Sequence, residues 1–288
     1  MRLNRLYQET VYKLSLAGIE DARSDATLLL CFCLELTRSE LFLQSTRELN
    51  AEQLRKCNVL LTRRLAREPL HYITGSREFW SLDFTVSPAV LIPRPETEFL
   101  LDLVLKTLAV SGFQGGPVLD MCTGSGVISI VLALELEAKK VIAVDRSKEA
   151  LYVAAGNIAK HGKKKEISLV CSDLFSAINL QTEFELIVAN PPYISESEMD
   201  HLPPEVRKWE PESALAAGNK GLDVIEELAN QTPEYLLPGG WLFIEIGADQ
   251  KDSVQSMFTD HASGAYDSVE IIHDWAQRPR VLKVRRKK

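Results

Sequence analysis

Residues 117–145 constrain this chain more than any other stretch. Val118-Leu119-Asp120 is short and largely apolar, and Gly124 and Gly126 follow closely. Val127 to Leu136 is an apolar run of helical length, and Val141-Ile142-Ala143-Val144 ends at Asp145. Strand, glycine turn, helix and strand in this order predict a βαβ unit, whose parallel strands are buried on both faces. Glycine in the turn admits positive φ and lets a ligand approach the backbone. Asp145 lies 145 − 120 = 25 residues after Asp120, about one βαβ step, so its carboxylate is placed to accept from two ribose hydroxyls. The turn reads Gly124-x-Gly126-x-x-Ser129, so the third position of the dinucleotide fingerprint is not glycine. At this point a turn that only packs tightly, a nicotinamide-dinucleotide enzyme and a different nucleotide-type ligand all stay open.

The alternation continues. The spacing predicts a helix over Lys148–His161, strands over Ile167–Cys171 and Glu185–Ala189, a helix over Gly221–Leu237 and a strand over Trp241–Ile246. Two more strands are expected near Val269–Ile272 and Val281–Val284. Alternating elements of this kind build a doubly wound, mainly parallel sheet. Asp173 follows the third strand, where it can meet an adenine edge.

Asn190-Pro191-Pro192-Tyr193 follows the fourth strand directly, and ligands of such sheets bind at the carboxyl ends of the strands. Proline has no N–H, so two in succession leave carbonyls without neighbouring donors. The Asn190 side-chain oxygen and the Pro191 carbonyl can then accept both hydrogens of one NH2 group, and Tyr193 can stack on a planar group. That arrangement suits a weak planar nitrogen nucleophile. Two acceptors on its hydrogens favour charge building on nitrogen and hold it in line with an electrophile such as a sulfonium methyl. A rigid turn explains Pro-Pro alone. It does not explain Pro-Pro after strand four together with glycines after strand one and an acid after strand two.

Ahead of this lies a helical region. Leu3, Leu6, Tyr7, Val11 and Leu14 recur at helical spacing with Gly18 as a stop, and Ser24 is expected to cap a second helix through Leu36. Thr37-x-x-Glu40 and Asn50-x-x-Gln53 fit capping boxes. The helix after Asn50 carries Leu54, Cys57, Leu61 and Leu65 on one face, with Pro69 as its end. Phe79, Trp80, Leu82, Phe84 and Val86 suggest a hairpin, and Pro95 opens an apolar helix from Phe99 to Leu108. The expected division is a helical domain over 1–72, a hairpin or linker over 73–94, and the catalytic domain over 95–288.

Composition narrows the class. The net charge is −7, from 33 Lys and Arg against 40 Asp and Glu, so a generic nucleic-acid binder is disfavoured. Lys163-Lys164-Lys165 and Arg285-Arg286-Lys287-Lys288 read as a solvated turn and a solvated terminus, with a local contact to RNA or an RNA-bound partner as the alternative. The longest apolar run, Leu28 to Leu34, is too short to span a bilayer, and the start has no signal-peptide core. Five scattered cysteines with no CxxC pair, and five histidines with no HExxH, give no metal signature. The expectation is a cytoplasmic monomer without metal, membrane or direct nucleic-acid partner.

At Asn190 to Tyr193, Cys122 to Gly126 and Asp145, the chain resembles the class I S-adenosylmethionine-dependent methyltransferases. More narrowly it resembles the HemK/PrmC family, on Tyr72-Ile73-Thr74-Gly75, Glu78-Phe79, Val86-Ser87-Pro88, Leu91 to Glu98, Asn190 to Ile194, Glu210-Pro211 and Ala214-Leu215. The resemblance implies a Rossmann-like α/β fold with a seven-stranded sheet and a small N-terminal helical bundle. It implies methyl transfer to the side-chain amide N5 of the glutamine in the Gly-Gly-Gln motif of peptide chain release factors, with S-adenosylhomocysteine as product. An N6-adenine methyltransferase of DNA or RNA is the nearest rival, since the same clamp serves an adenine amine. A non-catalytic adaptor that binds S-adenosylmethionine is the rival from another class.

By that resemblance Cys122, Thr123, Gly124, Ser125 and Gly126 hold the methionine part of the cofactor. Asp145 holds the ribose, Leu174 beside Asp173 lies against the adenine, and Asn190 touches cofactor and substrate. Asn190, Pro191, Pro192 and Tyr193 clamp the glutamine amide, and the helical domain helps hold the release factor. One departure is Cys122, where the family usually has glycine. Arg94 and Glu98 are read as pocket-shaping or as a salt bridge and helix cap. His201 is read as a loop residue, the loop Ser195 to Pro211 with Trp209 as substrate contact, and Glu245 as a site residue or a backbone-bonded buried acid.

Overall fold

The computed structural model describes residues 1–113, 115–136, 138, 140–261 and 264–288. The chain divides into two compact units, Met1–Ser76 with Pro203–Trp209, and Arg77–Leu202 with Glu210–Lys288.

The first unit is helical: α1 Leu3–Leu16, α2 Ala22–Leu34, α3 Arg38–Leu43, α4 Ala51–Leu65 and α5 Leu70–Thr74, joined by the short helix Pro204–Trp209. Both expected capping boxes are present, Thr37 with Glu40 and Asn50 with Gln53. Two expectations are corrected. The cap of α2 is Asp21, whose carboxylate accepts from the Ser24 N–H, so Ser24 lies inside the first turn. Pro69 does not terminate α4, which ends at Leu65; it precedes α5, where its missing N–H goes unneeded. Leu3, Leu6, Leu29, Leu30, Leu41 and Cys57 form the core of the unit. Beside it Arg64, nearly buried, bonds Asp25 at 2.6 Å and Glu205 at 3.0 Å, while Arg67 reaches Glu205 at 2.8 Å. Buried charges persist when paired in this way.

The second unit begins at Arg77, inside the first strand of the hairpin β1 Ser76–Phe79 and β2 Leu82–Thr85, and continues with α6 Pro95–Ser111. Trp80 and Ser81 both have positive φ, the geometry of the tight hairpin turn that matches strand twist. The sheet comprises β3 Val118–Met121, β4 Val141–Asp145, β5 Ile167–Cys171, β6 Phe184–Ala189, β7 Leu236–Glu245, β8 Tyr266–His273 and β9 Pro279–Arg286. The helices that follow α6 in this unit are α7 Val127–Glu135, α8 Lys148–Lys160, α9 Glu196–Met199, α11 Asp223–Tyr235 and α12 Lys251–Ser256; the helix Pro204–Trp209 of the first unit is α10 in chain order.

The order is β5-β4-β3-β6-β7-β9-β8; the first five strands are parallel and β9 runs antiparallel to both β7 and β8. Successive strand residues divide between two cores. Val118, Leu186, Val188, Phe243 and Val281 pack with α6, α7 and the hairpin. Leu119, Ile187, Ala189, Leu242, Ile244 and Leu282 pack with α11 and α12. Both faces are covered, so the strands read as unbroken apolar runs. Helix α11 stops at Tyr235 instead of Leu237, because Leu236 already pairs with Phe184, and the residues before Trp241 are absorbed as a register irregularity.

Candidate active site

The strand order reverses between β3 and β6, which are adjacent, and Met121 aligns with both Val144 and Ala189. The residues that follow those positions therefore converge at a topological switch point, where open α/β sheets bind ligands. A cleft open to solvent occupies it. Of the residues expected to form the site, Cys122, Thr123, Gly124, Ser125, Asp145, Asp173, Leu174, Asn190 and Pro192 line the cavity. Gly126, Pro191 and Tyr193 are not among its lining residues.

The turn after β3 is built from the buried Asp120. Its Oδ2 accepts from the Thr123 hydroxyl at 2.6 Å, from the Ser129 N–H at 3.0 Å and from the Ser129 hydroxyl. The place of the third fingerprint glycine thus needs a side chain here. Asp120 Oδ1 has no partner among the described residues, and burial, working against those three bonds, pushes the carboxyl up to about 6. Asn157, on α8, clamps the same turn: its amide donates to the Ser125 and Thr85 carbonyls and accepts from the Thr85 N–H. Cys122 adopts φ 63, the left-handed region that glycine tolerates best. Burial first, then the Asp145 and Asp120 charges, push its thiol up, which disfavours the thiolate.

Asp145 holds the other side. Its Oδ2 accepts from the Gly124 N–H and its Oδ1 from the Ser147 N–H, each at 2.9 Å. Each oxygen keeps accepting capacity toward the cavity, and Val144, Ala150 and Leu174 supply apolar wall beside it. Arg146, also lining, donates to the Ser213 carbonyl at 3.3 Å.

The turn after β6 is held by three residues that sequence reasoning missed or left undecided. Thr97, in the first turns of α6, accepts from Asn190 Nδ2 at 3.1 Å and donates to Glu245 Oε2 at 2.8 Å. Tyr193 donates its hydroxyl to Glu245 Oε1 at 3.2 Å. Glu245 is therefore bonded to side-chain hydroxyls, not to backbone, and burial pushes its carboxyl up to about 6. Gln250 donates to the Tyr193 carbonyl at 2.8 Å and to the Gly221 carbonyl at 3.0 Å. Neither Asn190 Oδ1 nor the Pro191 carbonyl accepts a hydrogen bond from any described residue.

Arg94 bonds the buried Glu210 at 2.5 Å, and Glu210 also accepts from the Ile92 N–H, which joins two of the family-like segments. Glu98 accepts from the Trp80 N–H at 2.7 Å and so serves the hairpin, away from the cavity. His201 is exposed, with Nδ1 on the Ser197 carbonyl at 2.9 Å. No group of metal-ligating side chains occurs among the described residues.

This fold is that of a class I methyltransferase. It resembles a methyltransferase of Pyrococcus furiosus, at TM-score 0.52 and 17% identity over 82% of this chain and 99% of that one. It also resembles the T. thermophilus 16S rRNA N2 G1207 methyltransferase solved with AdoMet and guanosine, at TM-score 0.54 and 20% identity over 74% of this chain and 50% of that one.

Residues 5–75 match the PrmC N-terminal domain and residues 96–202 the methyltransferase small domain. The release factor glutamine methyltransferase of Koribacter versatilis is 40% identical over 98% of both chains. That of Geobacter sulfurreducens is 41% identical over 84% of this chain and 83% of its own. The chain belongs to the release factor glutamine methyltransferase family.

Proposed function

We propose that the protein transfers a methyl group from S-adenosylmethionine to the side-chain amide nitrogen of the glutamine in the Gly-Gly-Gln motif of peptide chain release factors. One observation carries this: Asn190 Oδ1, on a residue that lines the cavity, and the carbonyl of the next residue, Pro191, accept from no described donor. Two acceptors side by side fit the two hydrogens of a primary amide.

The residues present fit the cofactor. Asp145 offers two carboxylate oxygens with spare lone pairs for paired ribose hydroxyls, and Asp173 and Leu174 flank an apolar wall suited to adenine. The turn Cys122 to Gly126 would take the methionine part. When bound, S-adenosylmethionine supplies an electrophilic sulfonium methyl whose thioether leaving group needs no acid, and S-adenosylhomocysteine is the product.

The amide nitrogen is a poor nucleophile because its lone pair is delocalised. Hydrogen bonds from its N–H groups to Asn190 and Pro191 raise its electron density and fix its direction of attack. The nitrogen proton becomes acidic as the new bond forms, so water suffices to take it. Pro192 makes the turn rigid, and Tyr193, tied to Glu245, anchors its far end. The helical unit is assigned to holding the release factor, and the protein to the cytoplasm as a monomer. Among the described residues no helix is long and apolar enough to cross a membrane.

The test is methyl transfer from labelled S-adenosylmethionine to an unmodified release factor, beside the same factor with its Gly-Gly-Gln glutamine changed to alanine, and beside duplex DNA and RNA. Label on the intact factor alone is the expected result. Label on nucleic acid would move the substrate to adenine, and label on neither would leave a binding protein.

A further inference from the structure

A clamp built on a carboxamide works only one way round. If Asn190 were turned over, its NH2 would face the NH2 of the substrate, donor against donor. Something must choose the orientation, and the backbone does not, because the two ends of the amide have the same shape.

Each Glu245 oxygen receives one hydroxyl, and the Arg280 charge favours the carboxylate form. A carboxylate offers no hydrogen. Both hydroxyls on it therefore donate, Thr97 at 2.8 Å and Tyr193 at 3.2 Å. The Thr97 hydroxyl has one hydrogen, and Glu245 takes it. Toward Asn190 the Thr97 oxygen can then only accept, so the 3.1 Å contact comes from Asn190 Nδ2. Asn190 Oδ1 is left to face the substrate.

We infer that Glu245, acting through Thr97, sets the orientation of the Asn190 amide and so presents its oxygen to the substrate glutamine. Thr97 and Glu245 are positioning residues. The inference rests on the glutamine-methylating reading and adds to it two groups drawn from α6 and β7, which reach the motif from distant parts of the chain. Thr97 lines the cavity and Glu245 does not, so the acid acts only through the hydroxyls it receives.

The experiment uses the full chain, labelled S-adenosylmethionine and an unmodified release factor. Thr97→Val keeps the shape and removes the hydroxyl. Loss of one orienting hydrogen bond should lower kcat about tenfold, with KM for the release factor and the Kd of S-adenosylhomocysteine within about twofold. Thr97→Ser restores the hydroxyl and should return most of the rate. Glu245→Met keeps length without an acceptor; it frees the Thr97 hydrogen to turn to Asn190 and should also lower kcat with KM held. Wild-type kcat in Thr97→Val or in Glu245→Met overturns the inference. So does equal impairment of Thr97→Val and Thr97→Ser, which would mark a packing role. If Thr97→Val does not fold, Glu245→Met decides. An inactive wild-type chain would instead sink the substrate assignment.

Discussion

Gly221 is the sharpest point at which to disturb the motif without touching it. It has φ +69, and a Cβ built there would lie 2.3 Å from the Tyr193 carbonyl oxygen, 2.9 Å from Gln250 Nε2 and 3.0 Å from the Ser195 N–H nitrogen. Ordinary contact begins near 3.4 Å, so the Tyr193 carbonyl must retreat by about 1 Å (3.4 − 2.3) or Gly221 must move away. Neither is free, because Gln250 holds both carbonyls together. For Gly221→Ala, left-handed alanine costs roughly 1–2 kcal/mol, and the overlap adds about 1–3 kcal/mol as overpacking does. The expected loss is about 2–5 kcal/mol, a fall in Tm of roughly 3–8 °C for a chain of this length. A displacement of about 1 Å at the clamp should lower kcat on the order of a hundredfold. The assays are thermal unfolding by circular dichroism and methyl transfer to the release factor, with S-adenosylhomocysteine binding by calorimetry as a third axis. Binding should change far less than kcat. The control is Gly156→Ala, an exposed glycine inside α8 with open space around its Cα; it should stabilise by about 0.5–1 kcal/mol with normal activity. A Gly221→Ala protein with wild-type kcat would refute the claim that close approach at Gly221 sets the motif.

Two further outcomes are expected. Asp145→Ala removes charge-assisted bonds of about 1.5–3 kcal/mol each, and it also frees the Gly124 N–H, so S-adenosylhomocysteine should bind at least about tenfold more weakly by calorimetry; unchanged affinity would reject the ribose role. Asp120 titrates about 6 in the folded chain against 3.8 for the unfolded group. Its raised value stabilises the fold below the unfolded value, and that stability is lost as pH rises through the folded one, on the order of 3 kcal/mol in all. Urea unfolding across that range should show wild type losing stability relative to Asp120→Asn as pH rises, and a pH-independent difference would count against it.

Much of the sheet was legible in the sequence because strands buried on both faces leave contiguous apolar runs. The glycine turn, Asp145 and the Asn190 motif were legible because each directly follows such a run. Thr97 was not. It is one polar residue in an amphipathic helix, and its partners are 93 and 148 residues away. Gln250 bonds the Tyr193 carbonyl across 57 residues with no local pattern to announce it. Glu98 illustrates the reverse: an acid in a suggestive segment that turns out to hold the hairpin. Asp21 displaced Ser24 as a cap because both residue types suit the position and spacing alone does not choose between them.

The helical unit is assembled from two separate stretches of chain, and Glu205 in the later stretch pairs with Arg64 and Arg67 in the earlier one. A gene fusion or recombination event with one crossover near residue 76 would therefore transplant both arginines and leave their acid behind. Such a unit is inherited whole only if both stretches travel together. Grafts between relatives should accordingly succeed with two junctions, one after Ser76 and one enclosing Pro203–Trp209, and lose helical stability with one.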